Sequence, residues 1–440
     1  MPTVGAARKM IEDEAGRARL SALYGEEGLS RAADRMDGLE ASLMELRGGR
    51  PEESPRFYSA PGRTELGGNH TDHNHGRVLA AAVRLDALAC VAPRAPGDLG
   101  VRIRSEGWAD PIVLDLAGLE PRPEEAGRTE ALVRGVARGL ADRGVAIGGF
   151  DAAMDSTVLP GSGLSSSAAV EVLFGTILAD LAGAGLGSAA AREKGIDAVE
   201  LAKIGQYAEN RFFGKPCGLM DQTASAVGGV VAIDFALPSA PAVRSIPFDF
   251  AKAGLVLCVV NTGGSHADLT ADYAAVPAEM KAVASFLGKA VLREVDPALL
   301  VERGPAIRAA LGDRALLRAL HFAAEDARVP AMVAALERND VAAYLGLVRA
   351  SGDSSWRLLQ NLYPPEAPHE QGLPLALALS ERFLAGEGAV RVHGGGFAGT
   401  IQAYVPLARF EGWKALMESY FGPGSVHPIG ARPLGTLRLA

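Results

Sequence analysis

Apolar residues recur at two different periods along this chain, and the changes of period mark out its elements. Between residues 6 and 47, Ile11, Ala15, Ala18, Leu20, Leu23, Tyr24, Leu39, Leu43 and Leu46 fall at roughly helical spacing among charged residues. That pattern predicts two surface helices, ended by Gly48-Gly49-Arg50-Pro51. Denser runs follow. Residues 56–63 read as a strand entering a turn, 77–92 as a strand returning through the core, and 101–105 with 111–116 as a strand pair before a helix over 130–143. A further strand at 149–154 leads through a Gly/Ser stretch into an Ala-rich helix over 170–186, and a second helix is expected over 189–214. Strands at 230–234 and 255–261 flank the Pro-rich Leu237-Pro238-Ser239-Ala240-Pro241, which reads as a domain junction. Helices are expected over most of 276–350 and over 374–384. The chain then closes with a strand, a glycine loop at 394–399, another strand, a helix over 410–420 and a last short strand.

A length of 440 residues exceeds one ordinary core, so two domains over 51–240 and 241–440 are expected behind a helical extension over 1–50. A hydrophobic share of 48% and a charged share of 22% are those of a soluble globular protein. No apolar run is long enough to span a bilayer, and the N-terminus leads into charge rather than a signal-peptide core, so a cytoplasmic protein without a membrane partner is expected. Cys90, Cys217 and Cys258 are widely spaced in apolar contexts, which argues against a disulfide framework or a cysteine zinc site. A net charge of −8 with no Lys/Arg stripe argues against nucleic acid, but leaves room for a local phosphate site.

The stretch from Pro160 through Gly161, Ser162, Gly163, Leu164, Ser165, Ser166, Ser167 and Ala168 to Ala169 opens a helix. Two glycines allow close backbone approach, and the serines place hydroxyls and amides at the positive end of the helix dipole, a setting suited to an anion such as phosphate. Taken alone, it could equally be a flexible capped turn. Upstream, Gly62-Arg63-Thr64-Glu65-Leu66-Gly67-Gly68-Asn69-His70-Thr71-Asp72-His73-Asn74-His75-Gly76 is too polar for a core, and reads as a solvated turn, a polyol-binding loop, or a zinc-hydrolase site using His70, Asp72, His73 and His75. Downstream, Asp221 stands at a helix start, where it could be a cap, and Glu209 lies on the preceding helix, facing solvent or a cation. His393-Gly394-Gly395-Gly396-Phe397-Ala398-Gly399 holds more glycine than a hairpin turn needs.

Together these blocks resemble the signature motifs of the GHMP small-molecule kinases, with wording closest to galactokinases. Residues 62–74 are similar to the sugar signature, 160–169 to the ATP-phosphate loop, 216–222 to the segment carrying the catalytic base, and 394–399 to the third glycine motif. The resemblance runs from about residue 55 to the C-terminus. It implies an α+β, two-domain fold, with an N-terminal domain like that of a ribosomal protein, a C-terminal ferredoxin-like domain, and the active site in the cleft between them. It implies ATP-dependent phosphorylation of a monosaccharide at its anomeric hydroxyl, D-galactose to galactose 1-phosphate, by a cytoplasmic enzyme expected to act as a monomer. Asp221 would be the base and Arg63 the charge stabiliser. Glu65, Asn69, His70, Asp72 and Tyr273 would bind the sugar. Gly161 to Ala168 would cradle the ATP phosphates, and Ser166 or Ser167 with Glu209 would hold Mg²⁺, a hard cation on hard oxygens. Gly394, Gly395, Gly396 and Gly399 would form the third motif.

Several positions depart from the pattern. Where galactokinases usually carry Asn-Leu-Ile-Gly-Glu-His, this chain has Glu65-Leu66-Gly67-Gly68-Asn69-His70, so an amide stands for a carboxylate at 69. His73 replaces the usual Tyr, Ala398 the usual Gly, and the arginines usual after the Tyr273 motif are missing from 274–278. These changes bear on the sugar rather than on phosphoryl transfer. An N-acetylhexosamine, a uronic acid or arabinose is therefore the alternative acceptor. A sugar sensor of the same fold is a second alternative, opposed by the retained Arg63, Asp221 and 165–169.

Overall fold

A pair of strands buried on both faces carries the first sheet in this computed structural model, which describes residues 10–49, 55–159, 161–263 and 269–439. β1 (Arg56–Gly67) and β2 (Arg77–Pro93) run antiparallel along most of their length. Tyr58, Ala60, Ala87, Ala89 and Val91 face one core, while Phe57, Leu88, Cys90 and Ala92 face another. Double burial explains the largely apolar sequence of β2, whereas β1 turns polar from Arg63 to Glu65 although it stays buried. β3 (Gly100–Ser105), β4 (Ile112–Asp115) and β5 (Phe150–Ser156) extend the sheet beyond β2 in the order β2-β5-β3-β4. β6 (Val230–Asp234) pairs with the Arg77 end of β2, and β7 (Ala242–Ile246) lies outside β6.

The Phe57 face is covered by α1 (Glu14–Tyr24) and α2 (Leu29–Leu46) through Leu20, Leu23, Met36, Leu39 and Leu43. These helices are less superficial than their charge suggests. Arg35 reaches through the layer to Asp86 (2.9 Å) and Asp155 (2.6 Å), and the Tyr24 hydroxyl donates to Asp86 (2.6 Å). The other face carries α3 (Thr129–Ala141), α4 (Ser166–Leu181), α5 (Ala198–Ala208) and α6 (Met220–Val227). The single helix expected over 189–214 is broken. A short helix Ala189–Glu193 stops before Gly195, Asp197 caps α5 by accepting from the Glu200 amide (2.8 Å), and a π-helical turn Glu209–Phe213 closes it.

A second, antiparallel sheet has the order β11-β8-β10-β9, built from β8 (Leu255–Asn261), β9 (Ala389–Val392), β10 (Thr400–Pro406) and β11 (Val426–Pro428). α7 (Thr270–Phe286), α8 (Asp313–Glu337) and α9 (Val341–Ser354) precede β9, and α10 (Gly372–Leu384) and α11 (Phe410–Phe421) pack on the sheet through Leu373, Leu377, Trp413 and Met417. α8 and α9 join the two halves, since Val329, Met332, Val333, Tyr344 and Val348 share one core with the first sheet and with Tyr404 of β10. The α+β architecture expected from the sequence is the one observed.

The boundary expected at 240 falls inside the β6–β7 hairpin of the first sheet, because Ile246 is buried in that sheet's core and Val243 packs against it. The chain also returns. β12 (Leu437–Arg438) pairs with β1, and Ala431 bridges Val83 of β2. No helix among the described residues is long and apolar enough to cross a membrane.

Candidate active site

β5 delivers the chain into the Gly/Ser loop, of which Pro160 lies outside the described residues. Gly161 (φ 69°) and Gly163 (φ 72°) take left-handed conformations, and so does Ser165 (φ 58°), which caps α4. The loop is stitched to β1: the Leu164 carbonyl accepts from the Arg63 amide (3.0 Å), and a Cβ on Gly62 would sit 2.8 Å from that carbonyl. Ser166, Ser167 and Ala168 then open α4. The free first-turn amides and the helix dipole favour an anion at this end.

Arg63 projects from β1 toward Asp221 in the first turn of α6. Its Nε and Nη2 donate to the two carboxylate oxygens of Asp221 (2.6 Å each), a bidentate pair. Arg63 Nη1 donates to the Gly163 carbonyl, which ties the pair to the phosphate loop. The Ser165 hydroxyl donates to Asp221 Oδ2 (2.5 Å). Burial raises the Asp221 carboxyl, but the Arg63 guanidinium and the Ser165 hydroxyl outweigh it and hold the group below the usual carboxylate range. Asp221 is therefore an ionised acceptor beside a fixed cation. Its side chain keeps 28% of its surface open, so a substrate hydroxyl can still reach it.

The polar loop after β1 folds against the third glycine motif. His70 (φ 58°) places Nε2 3.0 Å from the Gly395 carbonyl, and burial pushes its imidazole down to about 4. Asp72 lies against Gly218, where a Cβ would meet Asp72 Oδ2 at 2.1 Å, so the loop ahead of Asp221 approaches it closely. The Tyr273 hydroxyl donates to the Gly396 carbonyl (2.9 Å), and its ring lies where a Cβ on Gly395 would be, at 2.4 Å. A cavity of about 200 Å³ is lined by Gly161, Gly163, Tyr273, His393, Gly395 and Gly396 among others. The phosphate loop and the third glycine motif thus face each other across it, and Gly394 and Gly399 continue the turn with φ of 63° and 90°.

Glu65 and Asn69 point inward instead. Glu65 pairs with the buried Arg391, and Asn69 Nδ2 donates to Glu65 Oε1 (3.2 Å) and to the Gly394 carbonyl (2.8 Å). Asn69 Oδ1 accepts from Asn361 (3.1 Å) and Ser355 (3.3 Å). With side chains this buried and this engaged, both residues brace the loop from behind.

Of the two serines expected at a cation, Ser167 is the one whose hydroxyl reaches Glu209 (3.1 Å). A carboxylate and a hydroxyl on the rim of a phosphate loop are a donor set that fits Mg²⁺, which takes few protein ligands and completes its shell with water and phosphate oxygens. Glu209 also accepts from Lys215 (3.3 Å) and from Gln222 (3.0 Å), whose amide donates to Glu171 as well (2.9 Å). The zinc alternative fails, because no group of three or more His, Cys, Asp or Glu side chains among the described residues converges on a metal. His70 is bonded to backbone, and the His73 ring lies 6.4 Å from it in a tilted arrangement.

Nothing local in the sequence marks that Ser165 serves Asp221, that Arg391 and Asn361 hold the sugar-signature loop, or that His393 bonds to both β1 and the phosphate loop. Their partners lie more than fifty residues away along the chain, so no local spacing marks them.

A two-sheet α+β body with a glycine loop at a helix start, an ionised aspartate clamped by an arginine and a second glycine loop opposite defines a small-molecule kinase of the GHMP class. Family models agree: the galactokinase galactose-binding signature matches residues 48–93, and the GHMP kinase N-terminal domain matches 131–229. The chain belongs to the galactokinase family and is a sugar kinase. It is 35% identical to the galactokinase of Streptomyces coelicolor over 86% of this chain and 91% of that one. It is 32% identical to that of Glaesserella parasuis over 83% and 90%. In fold it resembles Lactococcus lactis galactokinase complexed with galactose, with a TM-score of 0.74, 22% identity, and coverage of 90% of this chain and 99% of that one. Methanococcus jannaschii mevalonate kinase is more distant, with a TM-score of 0.58, 14% identity, and coverage of 88% and 100%.

Proposed function

We propose that this enzyme phosphorylates D-galactose at its anomeric hydroxyl with ATP, with Asp221 as general base. The observation that carries the reading is the Asp221 carboxylate, held ionised by Arg63 and Ser165 yet open to the cleft. The anomeric O–H gives its proton to Asp221 as the oxygen bonds to the γ-phosphorus, and the bond from that phosphorus to the β,γ-bridging oxygen breaks to release ADP. Arg63, anchored to Asp221 and Gly163, is placed to offset the charge that develops on the transferring group. The amides of residues 161–168 hold the phosphates. Ser167 and Glu209 would hold Mg²⁺, which neutralises phosphate charge when bound. His70, Asp72 and Tyr273 line the sugar side. Glu65 and Asn69 face inward, so those two departures from the family pattern leave galactose as the acceptor of choice.

A coupled ATP assay over a panel of monosaccharides tests this, with the largest kcat/KM expected for galactose. Asp221→Asn is expected to lower kcat by about 10³-fold while ATP binding persists. Near-normal turnover in that variant would overturn the base assignment, and a clear preference for another sugar would overturn the acceptor.

A further inference from the structure

His393 stands just ahead of the third glycine motif, is buried, and bonds to both the sugar-signature and the phosphate-loop segments. Its Nε2 lies 2.9 Å from Thr64 Oγ1 on β1, and its Nδ1 lies 3.1 Å from the Ser162 carbonyl and 3.0 Å from Thr400 Oγ1. A Cβ on Gly163 would come within 3.1 Å of the ring, so the phosphate loop rests directly on it.

The direction of the surrounding hydrogen bonds is determined. Gln402 Nε2 lies 2.9 Å from the Glu65 carbonyl, which can only accept, so the amide nitrogen is the atom on that side. The other hydrogen of Nε2 goes to Thr64 Oγ1 (2.6 Å), and Gln402 Oε1 accepts from Tyr404, whose hydroxyl is 2.9 Å from that of Tyr344. Thr64 Oγ1, which accepts from Gln402, has its own proton to give to His393 Nε2. The Ser162 carbonyl can only accept, so the ring hydrogen sits on Nδ1 and shares that carbonyl with the Thr400 hydroxyl, which donates to it at 2.8 Å. Carbonyls at both ends of the chain agree on one tautomer. Burial, with the charges of Arg63 and Arg391, pushes the imidazole down to about 3, so it stays neutral at working pH.

We propose that His393 is a positioning residue for ATP: its Nδ1–H, set by a one-way chain of hydrogen bonds from the second sheet, fixes the Ser162 carbonyl and so the height of the phosphate loop. The next carbonyl along, that of Gly163, is the one that receives Arg63 Nη1. Displacing Ser162 thus moves both the phosphate amides and the arginine that faces the reacting phosphorus. The sugar side is held by other bonds, from His70 to Gly395 and from Tyr273 to Gly396.

The inference rests on residues 161–168 being the ATP-phosphate loop, and its test separates the two. Wild-type enzyme is first shown to turn over ATP with galactose; failure there would remove the functional reading itself. His393→Leu is then expected to raise KM for ATP about tenfold with KM for galactose within twofold of wild type, the loss of one buried donor. His393→Asn, whose Nδ2 can replace the Nδ1 donor, is expected to recover most of that loss. Thr64→Val, close to isosteric, releases the tautomer and is expected to move KM for ATP in the same direction, and it carries the test should His393→Leu fail to fold. The proposal is overturned if KM for ATP stays within twofold of wild type in the variants, if the two KM values rise together, or if His393→Asn is no better than His393→Leu.

Discussion

Two side chains from different segments donate to Asp221, Arg63 from β1 and Ser165 from the phosphate loop, and Asp221 itself stands in the first turn of α6. The same economy governs residues 65 and 69. This chain carries Glu then Asn where galactokinases usually carry Asn then Glu, and here the two side chains bond each other across one turn, with Arg391 against Glu65. One carboxylate and one amide are kept; their places are exchanged. Asn69→Glu alone sets a second buried carboxylate beside Glu65, and Glu65→Asn alone strips Arg391 of its bonded carboxylate, so each is expected to cost about 3 kcal/mol. The double exchange keeps a single charge and is expected to recover at least half of the summed loss in a chemical-unfolding cycle. Simple additivity of the two losses would show that the pair is not coupled.

Among the elements, α2 carries the clearest energetic signature. Arg35 bridges Asp86 and Asp155 at the back of the sheet, and Asp86 also meets Tyr24, Ser59 and Arg432. Arg35→Leu is expected to lower unfolding stability by about 3 kcal/mol, since it removes one partner of a buried charge. Turnover of the folded variant should stay near wild type, because these partners lie on the face of the sheet away from α4 and α6. A loss below 1 kcal/mol would show that Arg432 alone suffices for Asp86. The period of apolar residues marked α2 well, since its stripe of Met36, Leu39 and Leu43 is helical in spacing. It carries no sign that a half-buried arginine on the same helix pairs through the layer, because the partners Asp86 and Asp155 are set by the sheet and not by the local chain. The break of the 189–214 segment was likewise hidden. Its Ala-rich composition favours helix throughout, and the stop comes from Gly195 and the cap at Asp197.

At the scale of the whole molecule, burial of neutral histidines links stability to pH. His70 is pushed down to about 4 and His393 to about 3, from an ordinary value of 6.5, and burial also lowers His321. Between those values and 6.5 the unfolded chain binds protons that the folded one refuses, so stability is fully present above pH 6.5 and falls as the pH drops toward 4. The thermal midpoint should therefore decline between pH 7 and pH 5, and replacing His393 by Asn should flatten that decline; an unchanged slope would assign it to other groups. Asp221 works in the same sense but at lower pH: its carboxyl is held below the ordinary carboxylate range, so its contribution is present above that range and lost only as the pH falls through it, outside this window. The motifs made the two-part architecture and the four site segments legible in the sequence, because glycines and short polar residues are rarely gathered so densely between apolar strands. What stayed hidden is how the halves are joined. α8 and α9 share apolar residues with both sheets, and nothing in their spacing says which core each residue enters.

The last strand described has a consequence for how the protein is made. β12 pairs with β1, Leu439 donates its amide to the Phe57 carbonyl (2.7 Å), and Arg19 of α1 donates to the Leu439 carbonyl (3.1 Å). β1 and the helices before it leave the ribosome early, whereas the strand that closes their flank leaves it late. Through most of synthesis one edge of β1 has backbone groups without their native partners, open to any extended segment nearby. Completion of the first domain is thereby coupled to completion of the second, and a nascent chain stalled within the second sheet would still present that edge to its neighbours.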